Sequence, residues 1–127
     1  LTHVSDVMRV GDAVPKVGLD ASFSDLMREM SVKGLGATAI VDQQSNVVGI
    51  FTDGDLRRLI EQGADLRGKT ARQVMHPQPR TIAAHALAVE AAELMEHQRI
   101  NCVLVLDAEG RLGGALSIND LMRAKVI

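Results

Sequence analysis

The feature that most constrains this chain is a repeat of its own pattern. Shifted by 65 residues, Met30 falls on Met95, Asp42 on Asp107, Gly49 on Gly114, Asp55 on Asp120, Leu56 on Leu121 and Arg58 on Arg123. The apolar pattern between these identities also matches: ATAIVD (37–42) lies over CVLVLD (102–107), and VGIFTDGDLRR (48–58) over GGALSINDLMR (113–123). A shift of 67 pairs Val7-Met8 with Val74-Met75. Two tandem copies follow, repeat 1 over 1–64 and repeat 2 over 65–127. Whatever one copy folds into, the other must also fold into.

Each copy reads as helix, strand, turn, strand, helix. Ser22 caps a helix running to about Lys33, with Asp25 three residues on as its capping-box partner and Leu26, Met27 and Met30 as its apolar face. Gly34 and Gly36 end it. Thr38 to Val41 is short, apolar and partly β-branched, and forms a buried strand. A polar turn leads to a second strand, Val47 to Thr52, then a helix from Asp53 to Gln62 stopped by Gly63. In copy two the helix covers Leu87 to His97, with Ala88, Ala91, Ala92 and Met95 inward. Strands follow at Cys102 to Leu106 and Leu112 to Ser117, and a closing helix at Asn119 to Lys125. Thr70 caps a short helix ending near Met75, and His76-Pro77-Gln78-Pro79 is extended, because a proline pushes its predecessor out of helix. About 60 residues make a thin core alone. Two copies packed sheet to sheet around a pseudo-two-fold would bury one, with grooves between them as the place for a ligand.

Composition narrows the function. The first half carries 6 basic and 9 acidic residues and the second 8 and 7, so neither half offers a basic face for nucleic acid. The absence of Trp and Tyr removes the stacking platforms of single-strand binders. No apolar run approaches the roughly 20 residues of a membrane span. One cysteine, Cys102, allows no internal disulfide and suits a reducing compartment, so a cytoplasmic location is expected. The chain starts at Leu1 without a Met, and is expected to be a piece of a longer protein.

The strongest local chemistry sits where a strand meets a helix: Thr52-Asp53-Gly54-Asp55 and its counterpart Ser117-Ile118-Asn119-Asp120. The carboxylate can accept two hydrogen bonds from a ribose diol. The hydroxyl and helix N–H groups can hold a phosphate, with Arg57 and Arg58 close by to neutralise an anion. The same spacing is also a plain capping box, and the two readings stay open together, since one carboxylate can serve both. Gly34-Leu35-Gly36-Ala37-Thr38-Ala39 fits a dinucleotide fingerprint in letters, but a helix precedes it and a strand follows, the reverse of what that fingerprint needs. The histidines lack metal-site spacing, and Glu93 with His97 reads as a solvated pair. No metal site, nucleophile or paired-carboxylate signature emerges, and the chain is expected to be non-catalytic.

These residues together resemble the CBS domain pair, the Bateman module, over nearly the whole chain. The resemblance implies an α+β fold of tandem β-α-β-β-α units, with a ligand cleft pairing the Thr/Ser-x-x-Asp of each repeat with the linker and strand start of the other. One cleft would set Ile50, Thr52 and Asp55 opposite Met75, His76, Ile100, Asn101 and Cys102. The other would set Leu116, Ser117 and Asp120 opposite Met8, Arg9, Leu35, Gly36 and Ala37. VSDVMRVGDAVPKV (4–17) and GIFTDGDLRRLIEQGADL (49–66) further resemble the C-terminal part of bacterial arabinose 5-phosphate isomerases, which join a sugar isomerase domain to a CBS pair. That implies a regulatory module of the Kdo and lipopolysaccharide precursor pathway. It would use no cofactor, bind a nucleotide or nucleotide-sugar effector such as CMP-Kdo, and follow an upstream isomerase domain. An AMP/ATP-type sensor and a ligand-free assembly module are the alternatives. Leu59, Ile60, Leu121 and Met122 are expected at an edge that pairs chains into a homo-oligomer, a dimer or higher.

Overall fold

The computed structural model describes residues 1–127. The chain divides into two compact units, Pro15–Pro79 and a second made of Leu1–Val14 with Arg80–Ile127.

In the first unit, strand β1 (Lys16–Gly18) leads to helix α2 (Phe23–Lys33), strands β2 (Ala37–Val41) and β3 (Val47–Thr52), helix α3 (Asp53–Glu61), the short helix α4 (Ala71–Val74) and strand β4 (His76–Pro77). The sheet order is β1-β2-β3-β4, with β1 parallel to β2 and the other pairs antiparallel. Ser22 caps α2 as expected, its hydroxyl accepting from the Asp25 N–H at 3.0 Å. The expected reciprocal box does not form: the Asp25 carboxylate turns to Arg28 at 2.7 Å. Gly34, at φ +66, closes the helix in the left-handed conformation. Leu26, Met30, Ile40, Phe51 and Ala71 form the core, and Phe23 meets Phe51 edge to face with ring centroids 5.9 Å apart.

The second unit carries the same plan. It contains helix α1 (Val4–Val7), a 3-10 turn (Gly11–Ala13), strand β5 (Thr81–Ala83), helix α5 (Ala88–Gln98), strands β6 (Cys102–Leu106) and β7 (Leu112–Ser117), and helix α6 (Ile118–Arg123). Its sheet runs β5-β6-β7, and Arg9 bridges to Ala115 beside β7 as His76 bridges to Ile50 beside β3. Both hairpins slip register at the same place, before Val41 and before Leu106. Val4, Ala88, Ala91, Met95, Val103, Val105, Leu116 and Leu121 make the core. Leu121 is therefore inside, and only Ile60 and Met122 of the expected edge are strongly exposed, with Leu59 half-buried. Leu121 turns inward because it packs in the apolar core of this unit with Met95, Val103 and Leu116.

The compact units differ from the sequence halves 1–64 and 65–127. The segment ahead of each repeat's first strand joins the other repeat's last strand. Val4 and Ser5 donate to the carbonyls of Ala86 and Ala84 at 2.8 and 3.0 Å, and Arg9 donates to Ala115 at 2.8 Å. The α4–β4 segment does the same at β3. Glycine makes both dockings possible. A Cβ at Gly114 would lie 2.6 Å from the Met8 sulfur, and one at Gly49 would overlap the Met75 sulfur. This exchange accounts for the second shift of 67, which applies to the docked segments and not to the strands. No helix is long and apolar enough to cross a membrane.

Candidate functional site

The Thr52–Asp55 corner forms because β3 ends where α3 begins. The Asp55 N–H donates to the Thr52 hydroxyl oxygen at 3.1 Å, while Asp55 Oδ2 accepts from the Thr52 N–H at 2.9 Å and its hydroxyl at 3.0 Å. Asp55 Oδ1 accepts from Arg58 at 2.6 Å. The capping box is thus real, and its carboxylate also stands at the wall of a cavity of about 210 Å³. Arg58, Met75 and His76 line that cavity with it, as do Leu59, Gln62, Val74 and Pro77. The structure therefore brings together Asp55, Arg58, Met75 and His76 of the expected site. Thr52 holds Asp55 from behind, and Ile50 pairs with His76 across β3 and β4. Arg57 points elsewhere and sits 3.6 Å from Glu61 on the exposed side of α3.

Leu35, Gly36 and Ala37 lie in this same unit beside Thr52. Ala37 pairs with Thr52 across β2 and β3, and Gly36, at φ +81, accepts from the Asp53 N–H at 3.0 Å. Ile100, Asn101 and Cys102 take the matching place in the other unit. Cys102 pairs with Ser117, and the Asn101 carbonyl accepts from Ile118 N–H at 2.9 Å.

The Ser117–Asp120 corner repeats the box: Ser117 N–H to Asp120 Oδ2 at 2.9 Å and Asp120 N–H to the Ser117 hydroxyl at 3.1 Å. Here the carboxylate meets two guanidiniums. Arg9 Nε donates to Oδ2 at 3.3 Å and Arg123 to Oδ1 at 2.5 Å. Burial pushes the Asp120 carboxyl upward, but the hydrogen bonds from Ser117 and the Arg9 guanidinium outweigh it and hold the group below the usual carboxylate range. Leu116 is fully buried, and Met8 packs on Gly114 next to this corner.

Sequence reasoning misses Leu59, Gln62, Val74 and Pro77 as lining residues. The signal exists for two of them: Leu59 follows Asp55, and Gln62 follows Arg58, by one helical turn. It also misses a larger cavity of about 460 Å³ between the start of α2 and the 66–70 segment. Two of the charges there are already paired, Arg67 with Asp65 at 3.0 Å and Asp20 with Arg72 at 3.2 Å, and Lys69 is the third. The smaller cavity is the better candidate, because a carboxylate, a guanidinium and an imidazole converge on it.

Comparison with known proteins agrees with this fold. The profile of the family described as CBS domain matches residues 4–62 and 71–127. Arabinose 5-phosphate isomerase KdsD of Pseudomonas aeruginosa is 45% identical over 127 residues, covering 100% of this chain and 39% of that protein. The chain thus spans about two-fifths of the length of that curated relative. Among solved structures, CBSX2 of Arabidopsis thaliana in complex with AMP superposes with a TM-score of 0.83 at 24% identity, over 99% of this chain and 97% of that one. A CBS domain protein of Pyrobaculum aerophilum complexed with AMP gives a TM-score of 0.82 at 24% identity, over 94% and 89%. At that identity the structural likeness establishes the fold.

Proposed function

Because the chain belongs to the CBS domain family, we propose that it is the regulatory module of a bacterial arabinose 5-phosphate isomerase and takes a nucleotide-type effector at the Thr52–Asp55 corner. Its two repeats, 1–64 and 65–127, act as one module following a sugar isomerase domain, in a cytoplasmic homo-oligomer. The observation that carries this reading is the convergence of Asp55, Arg58 and His76 on one cavity. A cavity of about 210 Å³ is below the roughly 300–1,000 Å³ of pockets that swallow a whole ligand. It suits the ribose and phosphate of a nucleotide rather than all of it. The ribose diol donates to Asp55, and the Thr52 hydroxyl gives way by rotating about its own bond. Arg58, its side chain 58% exposed, keeps donors to spare for an anion while still held by Asp55.

CMP-Kdo is the effector of choice under this reading. It is the activated product of the pathway that the relative's name points to, and it presents a ribose to Asp55 and both a phosphate and a carboxylate to Arg58 and His76. An adenine-nucleotide sensor is the second reading, favoured by the AMP complexes of the two structural neighbours. Calorimetric titration of CMP-Kdo and of AMP into the parent chain and Asp55→Ala decides between them. Loss of a charge-assisted hydrogen bond should weaken the true ligand about 10- to 100-fold. Equal binding to parent and variant would reduce the corner to a helix cap, and no binding of either compound would favour a ligand-free assembly module.

A further inference from the structure

The two corners are built on one plan, and among their differences is the residue that the docked segment brings to each. Asp120 matches Asp55, Arg123 matches Arg58, and Ala115 matches Ile50. The segment paired with Ala115 places Arg9 where the segment paired with Ile50 places His76. The backbone position is the same in both. Arg9 exchanges hydrogen bonds with Ala115 at 2.8 and 3.2 Å, in the place of the Ile50–His76 pairing of β3 and β4.

The side chains do opposite things. His76 is exposed on the cavity wall and leaves Asp55 to Thr52 and Arg58. Arg9 reaches over and takes Asp120 Oδ2 at 3.3 Å, while Arg123 takes Oδ1. The Asp120 side chain is left 8% exposed, against 19% for Asp55. A diol arriving at Asp55 need only turn a hydroxyl aside. One arriving at Asp120 must expel a guanidinium from a partly buried ion pair, and a neutral hydroxyl is a poor replacement for a charge.

We propose that Arg9 is a built-in occupant of the Asp120 corner, so that the chain takes one nucleotide, at Asp55, and Arg9 is the residue that keeps the second position closed. This rests on the reading of the Asp55 corner as a nucleotide site. The repeat then yields one open position and one held shut by the chain itself.

The test is the stoichiometry of AMP and of CMP-Kdo by calorimetry on the parent chain, Arg9→His, Arg9→Ala and the double variant Arg9→His with Asp120→Ala. Arg9→His gives the second corner the residue of the first. A matching melting curve for each variant establishes that it folds. The expected result is one nucleotide per chain in the parent, two in both single Arg9 variants, and one again in the double variant. Two per chain in the parent, or one in the Arg9 variants, overturns the role of Arg9 while leaving the Asp55 site standing. Loss of the parent's single site in Arg9→Ala also overturns it, by making Arg9 a ligand contact. If no protein binds either nucleotide, the nucleotide reading itself fails and this inference falls with it. Carbon-13 titration of the Asp120 carboxyl separates that case from a wrong pairing: its midpoint should rise in Arg9→Ala, and an unchanged midpoint would show that Arg9 never held it.

Discussion

Thr38 is fully buried on β2, on the face it shares with Ile40, and its hydroxyl has no hydrogen-bond partner. Its counterpart in the other unit is Val103, also buried. An unpaired buried hydroxyl costs about 1–3 kcal/mol, so Thr38→Val, which keeps the shape, should raise stability by about 1 kcal/mol in denaturant titration. A loss of stability would mean that the hydroxyl has a partner after all. Asp120 supplies a pH-dependent counterpart. Its folded carboxyl titrates below the usual range, so the stability it contributes is present above the unfolded value of about 4 and disappears as pH falls through the lower folded one. Asp120→Asn should therefore be less stable than the parent at neutral pH, and the gap should close below about pH 4. A gap of constant size across acid unfolding curves would refute the assignment. At this scale Thr52 and Ser117 are legible in the sequence, because a hydroxyl and a carboxylate three residues apart are a local signal. The Arg9–Asp120 contact spans 111 residues and has no local signal at all. It becomes visible only when Arg9 is set against His76 in the 67-residue register.

Helices α2 and α5 occupy matching places but stop differently. The residue after α2 is Gly34 at φ +66, and the residue after α5 is Arg99 at φ +56. Glycine adopts that conformation without cost, whereas a residue with a Cβ is strained by about 1 kcal/mol. Arg99→Gly should recover most of this, and a thermal melt shifted upward by a few degrees checks it. A lower melting temperature would show that the exposed arginine contributes something the backbone strain conceals. The elements that read clearly from sequence are those with enough residues to show a period. Both long helices begin and end within a residue of their expected bounds, and both hairpins lie where alternation and polar turns place them. Strands β1 and β5 have three residues each, too few for a period of two to show, and only the family resemblance implies them. The Ser22 cap is legible, but its lost box is not, because the same hydroxyl, carboxylate and arginine spacing forms the box at Asp55 and at Asp120.

At the scale of the whole chain, association is the property most open to measurement. Ile60 and Met122 are 63% and 55% exposed on the matching helices α3 and α6, the edge expected to pair chains. Light scattering should give a dimer or higher mass, and Ile60→Glu with Met122→Glu should return it to a monomer. A monomeric parent at high concentration would remove this expectation. The repeat is fully legible in the sequence, yet the exchange of segments between repeats is not, because identity of pattern says nothing about which copy a connecting segment docks on. That exchange sets an order of events during synthesis. Pro15–Pro79 holds every residue of the first unit, and is complete once Pro79 has emerged. Val4 and Arg9, made before that unit, have their partners at Ala86 and Ala115. At about 5–20 residues per second, Arg9 waits roughly 5–20 s for its strand. Residues translated just ahead of the first unit thus settle only after it, and a nascent chain paused after Pro79 carries one finished unit and a segment before it still waiting for its strand.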